Sequence, residues 1–338
     1  MIGYYVHHQG RGHLTRMQSV AAHLRTPVVG ISSLPAPVGW EERWLPLARD
    51  DDPVPAPGSD VDAHGVLHWA PRHHRGLGDR MAAIASWIAT ERPRAIVVDV
   101  SVEVAVLARL CGIPVVVVAL PGERVDRAHR TAYDLADALL APWPEGSHGT
   151  DWPEAWTEKT RFVGALSRFD GQARPAEKVL GPARSALVVW GAGGRDTHDD
   201  AVPDARLATP GWTWTERSPE HPSPNLWEEL CAADVVITHG GQNAVADVAA
   251  ARAPAVIVAQ DRPYGEQVAT TEALTRLGIA EGRARWPSAE AWPDLLERAV
   301  QRGGAGWSRW SAGHGAEDAA ALLDDLAGDS LPATDPAT

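Results

Sequence analysis

Two stretches of the chain bring together residue types that could move a proton or hold an anion. The first is VHHQGRGHLTR at positions 6–16. It follows the β-type opening IGYY and runs into LTRMQSVAAHLR, which is spaced as an amphipathic helix. Gly10 and Gly12 allow a tight strand-to-helix turn, but the third glycine of a dinucleotide loop is missing. His13 therefore stands at a helix start, where a neutral imidazole at the mouth of a cleft can act as general base. Capping of the helix is the competing expectation. Asp99 closes the run AIVVD, and a carboxylate beside that imidazole would orient it and stabilise the imidazolium. It could equally cap the helix that starts near Ser101.

The second stretch is ADVVITHGGQNAVADVAAARAPAVIVAQDRPYGEQ, from Ala233 to Gln267. A strand ends on His239, two glycines follow, and a helix begins at about Gln242. Free amides at such a helix start make an anion site. Asp247 lies one to two turns further on, and Glu266 and Gln267 follow the next strand on a loop at the same mouth. Phosphate at the helix start, with carboxylate and amide groups beside it, suits a nucleoside diphosphate carrying a hydroxyl-rich group.

The elements that must position these residues follow from the apolar pattern. IGYYV, PVVGIS, AIVVDV, PVVVVAL and ALLAP alternate with helical segments, then SALVVW, DVVITH and AVIVA do the same. Continuous Val/Ile/Leu runs mark strands buried on both faces, and strand–helix alternation marks a parallel sheet. The fold class is α/β, two Rossmann-like doubly wound domains facing across a cleft. Residues 1–163 are expected to form the first domain, 164–184 a linker, 185–327 the second domain and 328–338 a disordered tail. Ligands gather beyond the carboxyl ends of such strands.

The second stretch resembles the donor-binding signature of GT-B glycosyltransferases, roughly His-x-Gly-x-Asn-Ser/Thr-x-x-Glu followed later by Asp/Glu-Gln. Here the matching residues are His239, Gly241, Asn243, Asp247 and then Glu266-Gln267. HHQGRGHLTR is similar to the amino-terminal loop of the same superfamily, and RFVGAL to its interdomain segment. The nearest groups are family 28, with the peptidoglycan N-acetylglucosaminyltransferase, and family 1. The resemblance implies that His13 is the base and that Asp99 orients it. It implies that His239 and the amides of Gly240, Gly241, Gln242 and Asn243 hold a diphosphate. Asp247 would take the ribose and Glu266 and Gln267 the sugar, with Gly191, Gly193 and Gly194 of GAGG facing the phosphates. Gly10, Arg11, Gly12 and Arg16 would lie on the acceptor side. Ala244 departs from the pattern, and the usual long helix after GAGG is not visible, so the second domain reads as trimmed by about one helix.

The activity implied is sugar transfer from a UDP- or TDP-sugar to an acceptor hydroxyl, inverting and metal-independent. No cofactor is expected beyond the nucleotide-sugar substrate. The alternatives are a non-catalytic nucleotide-sugar-binding protein and a sugar-nucleotide epimerase of the same fold.

A net charge of −13 on 338 residues argues against a nucleic-acid or anionic-membrane binder. With no leader and no membrane-spanning run, a cytoplasmic location is expected, with at most peripheral membrane contact if the acceptor is lipid-linked. The apolar positions around Ile84–Ile88 fit either core packing or such docking. Cys111 and Cys231 are expected to be buried free thiols. His64, His68, His73 and His74, beside Arg72 and Arg75, read as a solvated loop or an acceptor-side flap rather than a metal site.

Overall fold

The computed structural model describes residues 1–147, 152–175, 183–191 and 201–329. The first domain runs β1 (Ile2–Val6), α1 (Gly12–Ala21), β2 (Val28–Ser32), β3 (Arg43–Pro46), α2 (Arg75–Glu91), β4 (Ala95–Asp99) and α3 (Val102–Leu110). It continues with β5 (Val115–Val118), α4 (Arg127–Leu135), β6 (Ala138–Ala141), α5 (Glu154–Thr157) and β7 (Thr160–Phe162). Among the described residues its sheet has the order β3-β2-β1-β4-β5-β6-β7, and the pairings are parallel.

The second domain runs β8 (Arg184–Val189), α6 (Ala201–Ala208), β9 (Trp212–Arg217), α7 (Leu226–Ala232), β10 (Val235–His239) and α8 (Gln242–Ala251). Then come β11 (Ala255–Val258), α9 (Glu266–Arg276), β12 (Glu281–Arg283), α10 (Trp292–Arg302) and α11 (Gly315–Asp329). Its sheet has the order β12-β11-β10-β8-β9, again parallel.

Side chains alternate across each strand, so each sheet buries two apolar layers. In the first, Tyr5, Ile31, Ile96, Val98 and Val117 pack beneath α2, α3 and α4. Ile84 and Ile88 of α2 belong to that layer and are buried, so their apolar face is core and not a membrane surface. On the opposite face Ile2, Tyr4, Val97, Val116 and Leu140 pack against Met17 and Val20 of α1 and Ala316, Ala319 and Leu323 of α11.

That last contact corrects the expected domain boundary. Helix α11, assigned to the second domain from its position in the chain, packs on the first sheet. Asp324 fixes it there by accepting from the backbone amides of Arg25 and Thr26 at 3.1 and 2.9 Å. Between β8 and β9 the described residues include helix α6, which contains Pro203 and buries Ala201, Val202 and Ala205, so a helix stands where the second domain reads as trimmed. Residues 330–338, most of the expected tail, lie outside the described residues.

Both cysteines are free. Cys231 is buried as expected, whereas Cys111 is exposed, because it closes the C-terminal end of α3 where the helix leaves the sheet. No helix of the described residues is long and apolar enough to cross a membrane.

Candidate active site

In the first sheet strand order reverses between β1 and β4, the point where an open α/β sheet leaves a crevice. Val6 pairs with Asp99 in that register, so the His13 loop and Asp99 leave the sheet side by side. His13 Nδ1 lies 2.8 Å from Asp99 Oδ1. Arg16, one helical turn on, donates from Nη1 to both carboxylate oxygens at 2.8 and 2.9 Å. Asp99 is fully buried. Burial alone would raise its carboxyl, but the Arg16 guanidinium and the His13 imidazole outweigh that and hold it below the usual range. An ionised Asp99 accepts the Nδ1 proton of His13 and leaves Nε2 as the imidazole's free acceptor.

The capping alternatives fall away. His13 makes no cap bond, and the N-cap residue Arg11 offers no side-chain cap either. Ser101 caps α3 by accepting from the Val104 amide at 3.2 Å, which releases Asp99. Between Asp99 and Ser101, Val100 has φ 66°, costly for a β-branched residue. This strained turn separates the dyad carboxylate from the helix that follows.

In the second sheet the order reverses between β8 and β10. His239 ends β10, and its Nδ1 accepts from the Gly241 amide at 3.0 Å. The proton therefore sits on Nε2, which lies against Gly191. Burial, with the nearby Arg262 charge, pushes His239 down to about 4, so the ring is neutral. Gly193 and Gly194 lie outside the described residues. The double glycine answers to packing: a Cβ on Gly240 would stand 2.7 Å from the Gln267 carbonyl and 2.9 Å from Thr271 Oγ1. Helix α8 starts at Gln242, and the amides of its first turn have no carbonyl behind them.

The two helix starts meet. Asn243 Nδ2 donates to the Gly12 carbonyl at 3.1 Å, and Arg16 Nη2 donates to Gln242 Oε1. Two helix N-termini, each with partial positive charge, thus face one crevice. Arg262 adds a further positive charge near His239.

Some expected site residues face elsewhere. Arg16 is buried as the partner of Asp99 and does not open to the acceptor side; Gly10 (φ +94°) turns the loop, and Arg11 is exposed. Asp247 is buried: Oδ1 accepts from Ser167 Oγ at 2.8 Å and Oδ2 pairs with Arg168. It clasps the interdomain segment instead of lining the crevice for a ribose. Gln267 is buried and accepts from the Gln260 amide at 3.1 Å, bracing the loop. Glu266 pairs with Arg124 of the first domain at 3.1 Å.

Two groups of described residues have the composition of a metal site. His68, Asp126 and His129 form one, and His8, Asp50 and Asp51 the other. In the first, His129 Nε2 accepts from Arg124 while Nδ1 bonds Asp126; in the second, Arg80 holds Asp50. A cation would face a guanidinium in both. His74 of the same histidine-rich stretch caps α2, and His68 turns to Asp126 at the domain interface. The loop is thus partly structural and not simply solvated.

Sequence reasoning missed Arg262, the Arg16–Gln242 contact and the Arg124–Glu266 pair. Arg262 directly precedes the loop PYGEQ, but nothing in the local pattern singles out the arginine. The other two are long-range contacts with no local signal.

Residues 223–302 match the family model of the glycosyltransferase family 28 C-terminal domain. Over 285 residues the chain is 26% identical to UDP-N-acetylglucosamine--N-acetylmuramyl-(pentapeptide) pyrophosphoryl-undecaprenol N-acetylglucosamine transferase of Serratia proteamaculans, covering 72% of this chain and 76% of that protein. Among solved structures it is similar to the glycotransferase of kitacinnamycin, with TM-score 0.66, 17% identity and 98% of both chains covered. It is also similar to the calicheamicin glycosyltransferase, with TM-score 0.65, 17% identity and 98% and 99% covered. For Acinetobacter baumannii MurG the TM-score is 0.62, with 15% identity and 97% and 99% covered. These likenesses establish the GT-B fold.

Proposed function

We propose that this chain, a glycosyltransferase of GT-B fold, moves a sugar from a nucleoside-diphosphate donor to an acceptor hydroxyl with inversion and without a metal ion. The observation that carries the reading is the His13–Asp99 dyad, set opposite the start of α8. His13 Nε2 takes the acceptor proton as the acceptor oxygen attacks the anomeric carbon. The bond from that carbon to the β-phosphate oxygen breaks, and the diphosphate leaves with the electron pair. Asp99 stabilises the imidazolium that forms. The first-turn amides of α8, His239 Nε2–H and Arg262 meet the charge of the leaving diphosphate.

Glu266 and Gln267 are the sugar-side residues in this reading. Glu266 would exchange Arg124 for sugar hydroxyls, and Gln267 holds the loop that presents it. One relative is named for UDP-N-acetylglucosamine and one solved neighbour, a spinosyn rhamnosyltransferase, is complexed with thymidine diphosphate, which supports trying UDP and TDP first among nucleotides.

The test is thermal stabilisation by UDP, TDP and GDP, on the wild-type chain and on His239→Ala. Stabilisation by one nucleotide that is lost in the variant supports the reading. Stabilisation by none overturns it, and product formed from donor alone overturns transfer to an acceptor.

A further inference from the structure

The stretch that carries His13 also carries His7 and His8, which the reaction described above leaves unused. Asp99 holds the His13 imidazole at Nδ1. One hydrogen bond fixes one point of a ring and leaves its plane free to turn. His7 meets that ring from the side. The two centroids stand 6.4 Å apart with the planes at 77°, an edge-to-face arrangement within the range of favourable aromatic pairs.

His7 is itself held at three points. Its amide donates to the Asp99 carbonyl at 3.3 Å, and its Nδ1 accepts from the Gln9 amide at 3.1 Å. Its ring stacks on that of His8 at 4.8 Å, with the planes 19° apart. His8 is buried between two carboxylates, with Nε2 3.1 Å from Asp51 Oδ2 and Nδ1 3.7 Å from Asp50 Oδ1. Buried Arg80 holds Asp50, and Arg49 holds Asp51 through two bonds of 2.9 and 2.6 Å. A row of rings thus runs from a fixed ionic cluster to the side of His13.

The same contacts exclude two other roles for His7. A proton relay through it would need both ring nitrogens, and Nδ1 is committed to the Gln9 amide. Nor does it place a charge beside the base. Burial first, then the neighbouring His8, His13 and Arg80, push His7 down to about 3, so it is uncharged at neutral pH. An uncharged neighbour constrains the imidazole without repelling the proton it takes up.

We propose that His7 is a positioning residue for the base. Its ring, backed by His8, sets the plane of the His13 imidazole and with it the direction of the Nε2 lone pair, while Asp99 sets the tautomer. This deepens the sugar-transfer reading, and rests on it in taking His13 as the base.

The proton on His13 Nδ1 provides the readout. It exchanges with water only when the ring leaves Asp99, so its exchange rate counts those departures. The measurement is nitrogen–proton NMR of the full chain carrying isotopically labelled histidine, at neutral pH, with the His13 signal identified by its loss in His13→Gln. His7→Phe keeps an uncharged ring and removes the acceptor for Gln9. His7→Asn keeps a side-chain acceptor and removes the ring. Exchange unchanged in His7→Phe and roughly two- to tenfold faster in His7→Asn, the strength of one aromatic contact, supports the proposal. The Nε2 proton of His239, in the second domain, is the internal reference and should not change. Equal acceleration in both variants, no acceleration in His7→Asn, or acceleration of His239 together with His13 overturns the proposal. If melting curves show that His7→Asn does not fold, His8→Ala, which removes only the backing ring, takes its place and must speed the His13 exchange while sparing His239. No substrate enters the measurement, so failure of UDP, TDP and GDP to stabilise the chain sinks the transferase reading separately.

Discussion

Arg16 and Gln242 join the two domains through the Asp99 carboxylate. The same guanidinium that chelates Asp99 in the first domain donates to Gln242 Oε1 at the start of α8 in the second. The geometry of His13 and Asp99 and the seating of the start of α8 are therefore one linked arrangement. Arg16→Met should cost about 3–5 kcal/mol, because it leaves a buried carboxylate without its cation. The pH dependence follows from the same group. Asp99 is held below the ordinary carboxylate range, so its stabilisation is present above that range and is lost as pH falls through the folded-state value. Without Arg16, burial, the largest influence on this carboxyl, weighs more heavily against its charge, so the stability lost on acidification should shrink. Urea unfolding of both proteins across the acid range reads the shift directly. Gln242→Ala leaves the ion pair intact and should lower stability by only about 1 kcal/mol, while turnover falls.

Removal of the imidazole separates chemistry from binding. His13→Ala should lower turnover by roughly 10²–10⁴-fold, the usual worth of a general base, with nucleotide affinity little changed. Asp99→Asn should produce a loss of similar order through the wrong tautomer. Equal losses of turnover and of nucleotide affinity in His13→Ala would show that His13 serves binding instead.

His239 gives a different acid signature. Its folded-state value is pushed down to about 4, below the ordinary histidine value near 6.5. The folded chain resists protonation there while the unfolded chain accepts it. Stability is thus full above about pH 6.5, declines as pH falls towards 4, and declines no further on account of this group below that. His239→Gln should flatten the decline over that window, as measured by chemical unfolding at stepped pH. An unchanged slope would mean that His239 is not the group responsible.

Asp247 should behave as a clasp of the linker. Asp247→Ala removes the bonds to Ser167 and Arg168 and should destabilise the chain by about 1–3 kcal/mol, with little change in UDP affinity. Burial raises the Asp247 carboxyl, so its charge is a cost that increases as pH rises through the ordinary range. Asp247→Asn, neutral throughout, should therefore cost less than the alanine change at neutral pH. A large loss of nucleotide affinity in Asp247→Asn would restore the ribose role.

The inner strands were legible in the sequence, and the reason is burial. β1, β2, β4, β5, β6, β8, β10 and β11 lie inside the sheets, and the sequence displays them as mostly apolar runs rich in Val, Ile and Leu. The strands less plainly marked are β3, β7, β9 and β12, the four sheet edges, where RWLP, TRF, WTWTER and EGR mix apolar and charged residues because one side meets solvent. The site divides in the same way. His13, Asp99 and His239 lie at strand ends and helix starts, which local pattern locates. Asp247 and Arg16 also follow local pattern, but their partners arrive from 80 and 83 residues away, so their facing could not be read.

The return of α11 to the first sheet has a consequence for synthesis. The layer formed by Ile2, Tyr4 and Val97 stays open on one side until Ala316 to Leu323 have been made. The first domain cannot close its core before the second domain has been translated. Until then it presents an apolar sheet face to whatever the cell provides to cover it.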